Sequence, residues 1–112
     1  MELTELTIAK VQEGLKKKEF SAVELCRAYL EEIKVKDKKI SAFLTITDDL
    51  AFSQAKQIDD LISAEKEIPI LAGVPYAIKD TILVEGEKCT AGSKILDNYV
   101  APFDATVIEK LK

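Results

Sequence analysis

The chain has 112 residues, of which 47% are hydrophobic and 32% are charged, and its net charge is −4 at pH 7. This length suits one domain, and the composition is typical of a globular chain rather than a disordered one. Histidine is absent, which excludes Ser-His-Asp triads, Cys-His pairs and histidine-bearing zinc sites built from this chain alone. A base that works near neutral pH must then be a carboxylate with a raised pKa or a lysine with a lowered pKa.

Charge, cysteine content and the first residues predict a cytoplasmic chain that binds neither nucleic acid nor a membrane. Arg27 is the only arginine of an acidic chain, and such a chain is a poor source of the basic face that neutralises phosphates. Cys26 and Cys89 are far apart and follow no spacing pattern, which favours two reduced core thiols over a disulfide. No leader-like segment opens the chain, and no run approaches the roughly 18 apolar residues of a membrane span.

Two amphipathic helices are predicted in the first third of the chain. Thr7 is placed to cap a helix whose apolar positions include Ile8, Val11 and Leu15, and which ends at the lysines 16–18. Ser21 and Glu24 have the spacing of a capping box, which satisfies amide donors at a helix start. The second helix carries a continuous apolar stripe that consists of Ala22, Val23, Cys26, Tyr29, Leu30 and Ile33.

The next segments predict a connector, a strand and a third helix. Residues 34–39 are polar and indicate a solvated helix end and connector. Residues 40–47 are rich in β-branched and aromatic side chains and predict a strand. Asp48 and Asp49 stand where helix caps belong, and the helix that follows has Ala51, Ala55, Ile58 and Ile62 on one face and ends near residues 63–67.

The second half is predicted to be less helical. Pro69, Gly73 and Pro75 break any long helix and leave room for a short buried strand over residues 76–78. Gly86 indicates a turn, and Ser93 is placed to cap one turn that runs to residue 96. Asp104 is predicted to cap a last helix, which the chain leaves without a stop signal, so its end is expected to fray.

Lys79 is the most unusual residue in chemical terms. It directly follows an apolar segment that predicts a strand, and ligands collect at the carboxyl edge of open α/β sheets. The alternative is that Lys79 only reaches solvent from a strand end, and the pattern by itself favours that alternative.

The other candidate sites are weaker. Ser93 lacks the G-x-S-x-G spacing of a nucleophile and has no histidine partner, so a cap or turn role is favoured. The acidic pairs at 48–49 and 59–60 fall at helix caps or on polar helix faces, where carboxylates are ordinary. The four glycines are too scattered to form a phosphate-binding loop.

Two sequence blocks in the second half carry a family resemblance. G-V-P-Y-A-I-K-D spans residues 73–80, and T-A-G-S-K-I-L from residue 90 is followed by P-F-D-A-T-V from residue 102. With L-T-I-A-K, S-A-V-E-L and I-S-A-F-L-T-I-T before them, these blocks resemble the N-terminal part of amidase-signature enzymes. The resemblance covers the whole chain and is strongest to the A subunits of the glutamyl-tRNA(Gln)/aspartyl-tRNA(Asn) amidotransferases.

The resemblance implies a fold and a catalytic residue. The fold is α/β, with N-terminal helices packed on part of a mixed β-sheet and truncated with respect to the family. Residues 1–112 would be the N-terminal portion of a single amidase domain, helical over 1–66 and starting the α/β core over 67–112. Lys79 stands where the family has the base of its Ser–cis-Ser–Lys triad. A free lysine titrates near ~10.4, and burial beside hydroxyl groups lowers that value enough for a neutral amine to accept a proton.

The resemblance also implies substrates and partners. Glutamine would be hydrolysed through an acyl-enzyme, and ammonia would pass to subunits B and C, which amidate mischarged aminoacyl-tRNA with ATP and Mg²⁺. No cofactor or metal is implied for this chain itself, and tRNA would be bound mainly by the partner. The triad serines lie downstream in the family, so residues 1–112 alone are expected to be inactive and poorly stable.

Two departures and two rival interpretations accompany the resemblance. Thr81 stands where the A subunits usually have asparagine, and Cys89 stands where threonine is more usual. These changes loosen the assignment to the A subunits and leave Lys79 untouched. The rivals are a stand-alone amidase for small amides and a non-catalytic binding or scaffolding chain.

Overall fold

The computed structural model describes residues 2–112 and divides the chain into two units, Met1–Pro75 and Tyr76–Lys112. The first unit holds a short 3₁₀ helix, Leu3–Glu5, and three helices: α1 (Ile8–Lys16), α2 (Ala22–Ile40) and α3 (Asp48–Ser63). The second unit holds one short helix, α4 (Thr106–Leu111). Both predicted caps in the first third are confirmed. The Thr7 hydroxyl accepts from the Lys10 amide at 3.3 Å, and Ser21 and Glu24 form the reciprocal capping box.

The core of the first unit is made by one face of each helix. Its buried members are Val11 and Leu15 of α1, Ala22, Leu25 and Cys26 of α2, and Ala55 of α3. The 3₁₀ helix and α3 both pack on α2. The predicted apolar faces are confirmed in the main, because residues at helical spacing meet in one core. Two details differ: Ile8 is exposed, and Leu25, which the predicted stripe of α2 omitted, is fully buried.

The Asp59 carboxylate of α3 holds the start of α2. It accepts hydrogen bonds from the Ala22 amide at 2.7 Å and the Val23 amide at 3.1 Å. These are two of the amides that a helix leaves without intrahelical partners, and the positive end of the helix dipole favours a carboxylate there. Together with the capping box, this contact fixes α2 at its N-terminus.

Two local predictions in the first unit are wrong. Residues 34–39 are solvated as expected, but they continue α2 to Ile40 instead of forming a connector. Residues 41–47 form no strand, because the left-handed Ser41 (φ 53°) ends the helix and the Asp37 carboxylate accepts from the Ala42 amide at 2.6 Å. A strand needs a neighbouring ladder, and residues 2–112 provide none for this segment.

The second unit is mostly irregular. The only β pairing in the described chain is an antiparallel bridge between Lys88 and Val100, which the Cys89 amide extends by donating to the Tyr99 carbonyl at 3.1 Å. The predicted turn at Gly86 is confirmed by its positive φ of 82° and by the Glu87 amide, which donates to the Val84 carbonyl at 3.0 Å. The buried side chains of this unit are Val84, Cys89, Ala101 and Ile108.

Two further predictions fail in the second unit. Residues 76–78 have no regular secondary structure and are exposed, so the expected buried strand is absent. Asp104 does not cap α4, whose N-cap is Ala105. Its carboxylate instead accepts from the Glu85 amide at 2.8 Å and from the Lys112 ammonium at 2.5 Å, so it ties a turn to the end of the helix.

Candidate active site

Lys79 follows residues 74–78, which have no regular secondary structure, and lies immediately before a turn. Its carbonyl accepts the Ile82 amide at 3.0 Å, and its side chain is exposed. Within residues 2–112 the Lys79 ammonium has no ion pair. The expected position at a strand edge is wrong because no strand forms here. Within residues 2–112 the Lys79 side chain reaches solvent, so the burial that a lysine base needs is not supplied by these residues.

Asp80 fastens this turn to residues 89–92. Its carboxylate accepts from the Thr90 amide at 2.9 Å, from the Thr90 hydroxyl, and from the Gly92 amide at 3.4 Å. Its carbonyl accepts from the Ala91 amide at 3.0 Å and from the Cys89 thiol at 3.3 Å. The two sequence blocks that carry the family resemblance are thus joined next to Lys79.

The hydrogen bonds to Asp80 also set its charge. The Thr90 hydroxyl, followed by the Thr90 and Gly92 amides, holds the pKa of Asp80 below its ordinary value. A carboxylate that receives several donors is stabilised in its ionised form. Asp80 is therefore an acceptor, not a proton donor, at neutral pH.

Ser93 is part of a turn, as expected. Its amide donates to the Thr90 carbonyl at 2.9 Å, and its carbonyl accepts the Leu96 amide at 3.1 Å. Ala91 and Gly92 before it are left-handed, with φ of 49° and 70°. These backbone bonds account for Ser93 without a nucleophilic role.

The acidic pairs have structural roles. Asp48 and Asp49 occupy the first turn of α3, and Asp59 caps α2. Asp60 is exposed and lies 3.8 Å from the Lys56 ammonium. Among residues 2–112, no group of acidic or cysteine side chains could hold a metal ion.

Two surface clefts, of about 370 and 490 Å³, lie on the first unit. Both are lined partly by the N-terminal 3₁₀ helix, the smaller with Phe20 and the larger with Val35. Neither cleft includes Lys79.

The sequence profile of the Amidase family matches residues 24–112. The chain belongs to the amidase family. The match includes Lys79 and all residues that donate to Asp80, so the geometry described above lies within the family's own region.

Several bacterial amidase-family proteins are similar to this chain over nearly all of its length. The A subunit of the glutamyl-tRNA(Gln) amidotransferase from Thermoanaerobacter pseudethanolicus is 50% identical over 99% of the chain. The corresponding protein of Carboxydothermus hydrogenoformans, which carries the same name, is 44% identical over 100% of it. The chain spans only 22% and 23% of the lengths of these two relatives.

A solved structure confirms the fold of this portion of the amidase family. It was described as a vestigial protein complex that reveals the evolutionary origins of an s-triazine catabolic enzyme. It matches 95% of the chain with a TM-score of 0.90 and 33% identity, and the match covers 23% of that structure's chain. The helical chain described here is thus a partial amidase fold, and the expected fold class holds although the two local strands do not form.

The sequence offered little warning of the role of Asp80. Lys79-Asp80 and the block from Thr90 were both recognised, but their contact joins residues ten positions apart through irregular backbone. No periodicity describes such a contact, and only the presence of both blocks in one chain hinted at it.

No helix within residues 2–112 is long and apolar enough to cross a bilayer.

Proposed function

We propose that this chain is part of the A subunit of a glutamine-dependent aminoacyl-tRNA amidotransferase, and that Lys79 is the base of its glutaminase. One observation carries the proposal: the peptide that bears Lys79 is joined through Asp80 to the second family block at Thr90–Gly92. The names of relatives that are 41–50% identical support the choice of amidotransferase within the family.

The proposed chemistry is acyl transfer with a lysine base. The uncharged Lys79 amine accepts a proton from a bridging serine, which accepts one from the nucleophilic serine as that oxygen bonds to the glutamine side-chain carbonyl carbon. The C–N bond then breaks and ammonia leaves with a returned proton. Water releases glutamate from the acyl-enzyme. By resemblance to the family, both serines come from residues outside this chain.

The proposed fate of ammonia defines the partners. Ammonia passes to subunits B and C, where ATP and Mg²⁺ support amidation of Glu-tRNA(Gln) or Asp-tRNA(Asn) in the cytoplasm. Within the A subunit, residues 1–112 would be the N-terminal portion of one amidase domain, with a helical part over 1–66 and the start of the α/β core over 67–112.

A stand-alone amidase is the second candidate, because the solved structure with a TM-score of 0.90 was described in connection with the origins of an s-triazine catabolic enzyme. Genes for subunits B and C beside the gene of this chain would favour the amidotransferase. A reading frame that continues into a Gly/Ser-rich segment would favour either enzyme over a non-catalytic scaffold.

The test replaces Lys79 in the full-length polypeptide that carries these residues, assembled with its partner subunits. Lys79→Ala should reduce glutamine hydrolysis by about 1000-fold or more and leave only a small residual turnover, since the proposed base is lost. Lys79→Arg should fail nearly as badly, because a guanidinium does not deprotonate at working pH. Lys110→Ala, which removes an exposed lysine of α4, is the matched control and should keep full turnover.

Circular dichroism establishes that each variant is folded. Full glutaminase turnover in a folded Lys79→Ala enzyme would exclude Lys79 as the base. Hydrolysis of small amides without any need for partner subunits would select the stand-alone amidase instead.

A further inference from the structure

Asp80 collects more hydrogen bonds than any other side chain of the described second unit. Three donors reach its carboxylate, from Thr90 and Gly92, and two more reach its carbonyl, from Ala91 and Cys89. All five come from one stretch of four residues. These bonds fix the residue that directly follows the candidate base Lys79.

The peptide between Lys79 and Asp80 is held on both sides. A peptide unit is planar, so its orientation is set by the groups attached to it. The Lys79 carbonyl, which belongs to this peptide, accepts the Ile82 amide, and the Asp80 side of the same peptide is fastened to residues 89–92. Fixing this plane fixes the backbone from which the Lys79 side chain starts.

We infer that Asp80 is the positioning residue for Lys79. The hydrogen bonds that Asp80 accepts from Thr90 and Gly92 fix the backbone position from which the lysine amine reaches the serine that the lysine deprotonates. The inference rests on the proposed function. Lysine has a long, flexible side chain, so a fixed backbone origin limits the volume that its amine explores. Effective proton transfer needs the two groups within hydrogen-bond reach.

Asp80 is a positioning residue and not a catalytic one. A carboxylate offers about four acceptor sites, and the described residues already occupy three of them. An asparagine in its place would turn an amide N–H₂ towards one of the backbone N–H donors. Since two donors cannot bond to each other, Asp80→Asn would lose at least one contact to residues 90–92.

The experiment measures kcat and KM for glutamine in the full-length enzyme with its partner subunits. Asp80→Asn and Thr90→Val should each lower kcat about 10- to 100-fold, since a misplacement of about 1 Å can cost that much. KM for glutamine should stay within about twofold of the unaltered enzyme, because a residue that acts only by positioning the base makes no contact with the substrate. Thr90→Ser keeps the hydroxyl and should restore nearly full kcat.

The matched control and a double variant separate positioning from general damage. Asp97→Asn makes the same chemical change at an exposed aspartate of the same unit and should leave kcat unchanged. In a Lys79→Ala background, Asp80→Asn should cause no further loss of residual turnover, because no base remains to be positioned. Groups that act as one unit are non-additive in this way.

Each outcome decides one question. Wild-type kcat in Asp80→Asn and Thr90→Val would overturn the inference while an inactive Lys79→Ala leaves the proposed function standing. An active Lys79→Ala would overturn the proposed function itself. A further loss in the double variant, an equal loss in Thr90→Ser, or unfolding of both Asp80→Asn and Thr90→Val would assign Asp80 a purely structural role and would also overturn the inference.

Discussion

The two units of this chain achieve order by different means. In the first unit, three helices bury apolar faces in a shared core, and most backbone groups bond within their own helix. In the second unit, irregular backbone is held by two carboxylates, Asp80 and Asp104, that each join segments distant in sequence. The helical unit is therefore stabilised by the packing of apolar helix faces. The unit that carries Lys79 is stabilised instead by hydrogen bonds to the carboxylates of Asp80 and Asp104.

Loss of a core side chain should have the largest effect, and it should fall on the first unit. Leu25 is 0% exposed, so Leu25→Ala removes packed methyl groups and leaves a cavity. We expect the free energy of unfolding to fall by about 2–5 kcal/mol. Native-state amide hydrogen exchange of α2, measured in the full-length polypeptide, reports this loss.

Val35→Ala is the matched control for this prediction. Val35 lies on the same helix and is 73% exposed, so its truncation should change stability by no more than about 0.5 kcal/mol. Equal effects of the two substitutions would mean that the first unit has no specifically packed core.

Two glycines with left-handed backbone, one in each unit, also compare the packing of the two units, with smaller expected losses of stability. Gly73 has φ of 75°, and an added Cβ would lie 2.8 Å from the Leu15 Cδ1. Gly86 has φ of 82° and no atom within 4 Å of that position. Gly73→Ala should therefore cost about 2–4 kcal/mol, from backbone strain and overpacking, and Gly86→Ala only about 1–2 kcal/mol from strain.

Amide hydrogen exchange distinguishes these two effects by location. Gly73→Ala should reduce the protection of the Leu25 amide, and Gly86→Ala should reduce that of the Cys89 amide. A greater loss from Gly86→Ala than from Gly73→Ala would contradict the view that packing dominates in the first unit.

The smallest expected effect is a pH dependence at Asp80. Its pKa is depressed in the folded chain, first by the Thr90 hydroxyl, so the stabilisation is present above the ordinary carboxyl pKa and is lost as pH falls through the lowered value. The exchange protection of the Thr90 and Gly92 amides should thus decline below about pH 4. Asp80→Asn should show no such decline, and an identical decline in that variant would exclude Asp80 as its origin.

The same comparison explains how far the sequence predicted the fold. The starts of α1 and α2 were predictable because caps and apolar spacing are local signals, and Ala55 lies in the core as its spacing indicates. The strand predictions for residues 40–47 and 76–78 were wrong because β-branched composition gives only a tendency to form a strand. A strand also needs a paired neighbour, and residues 2–112 provide none for these segments.

The candidate site was predictable to a lesser extent. Lys79 was recognisable from its context and from the family resemblance, and its role stays a prediction. The bonds from Thr90 to Asp80 and from Ala22 to Asp59 were not foreseen. Each joins a side chain to a backbone amide of another segment, and a single sequence carries no periodic trace of such a contact.

The two buried cysteines give each unit its own built-in reporter. Cys26 lies in the first unit and Cys89 in the second, and both are free thiols. A thiol reagent can label either residue only when its unit opens, and burial raises the pKa of the Cys26 thiol, which further suppresses its reactive thiolate. Labelling rates resolved by mass spectrometry would therefore time the opening of the helical unit and of the Lys79-bearing unit separately, in the unaltered chain.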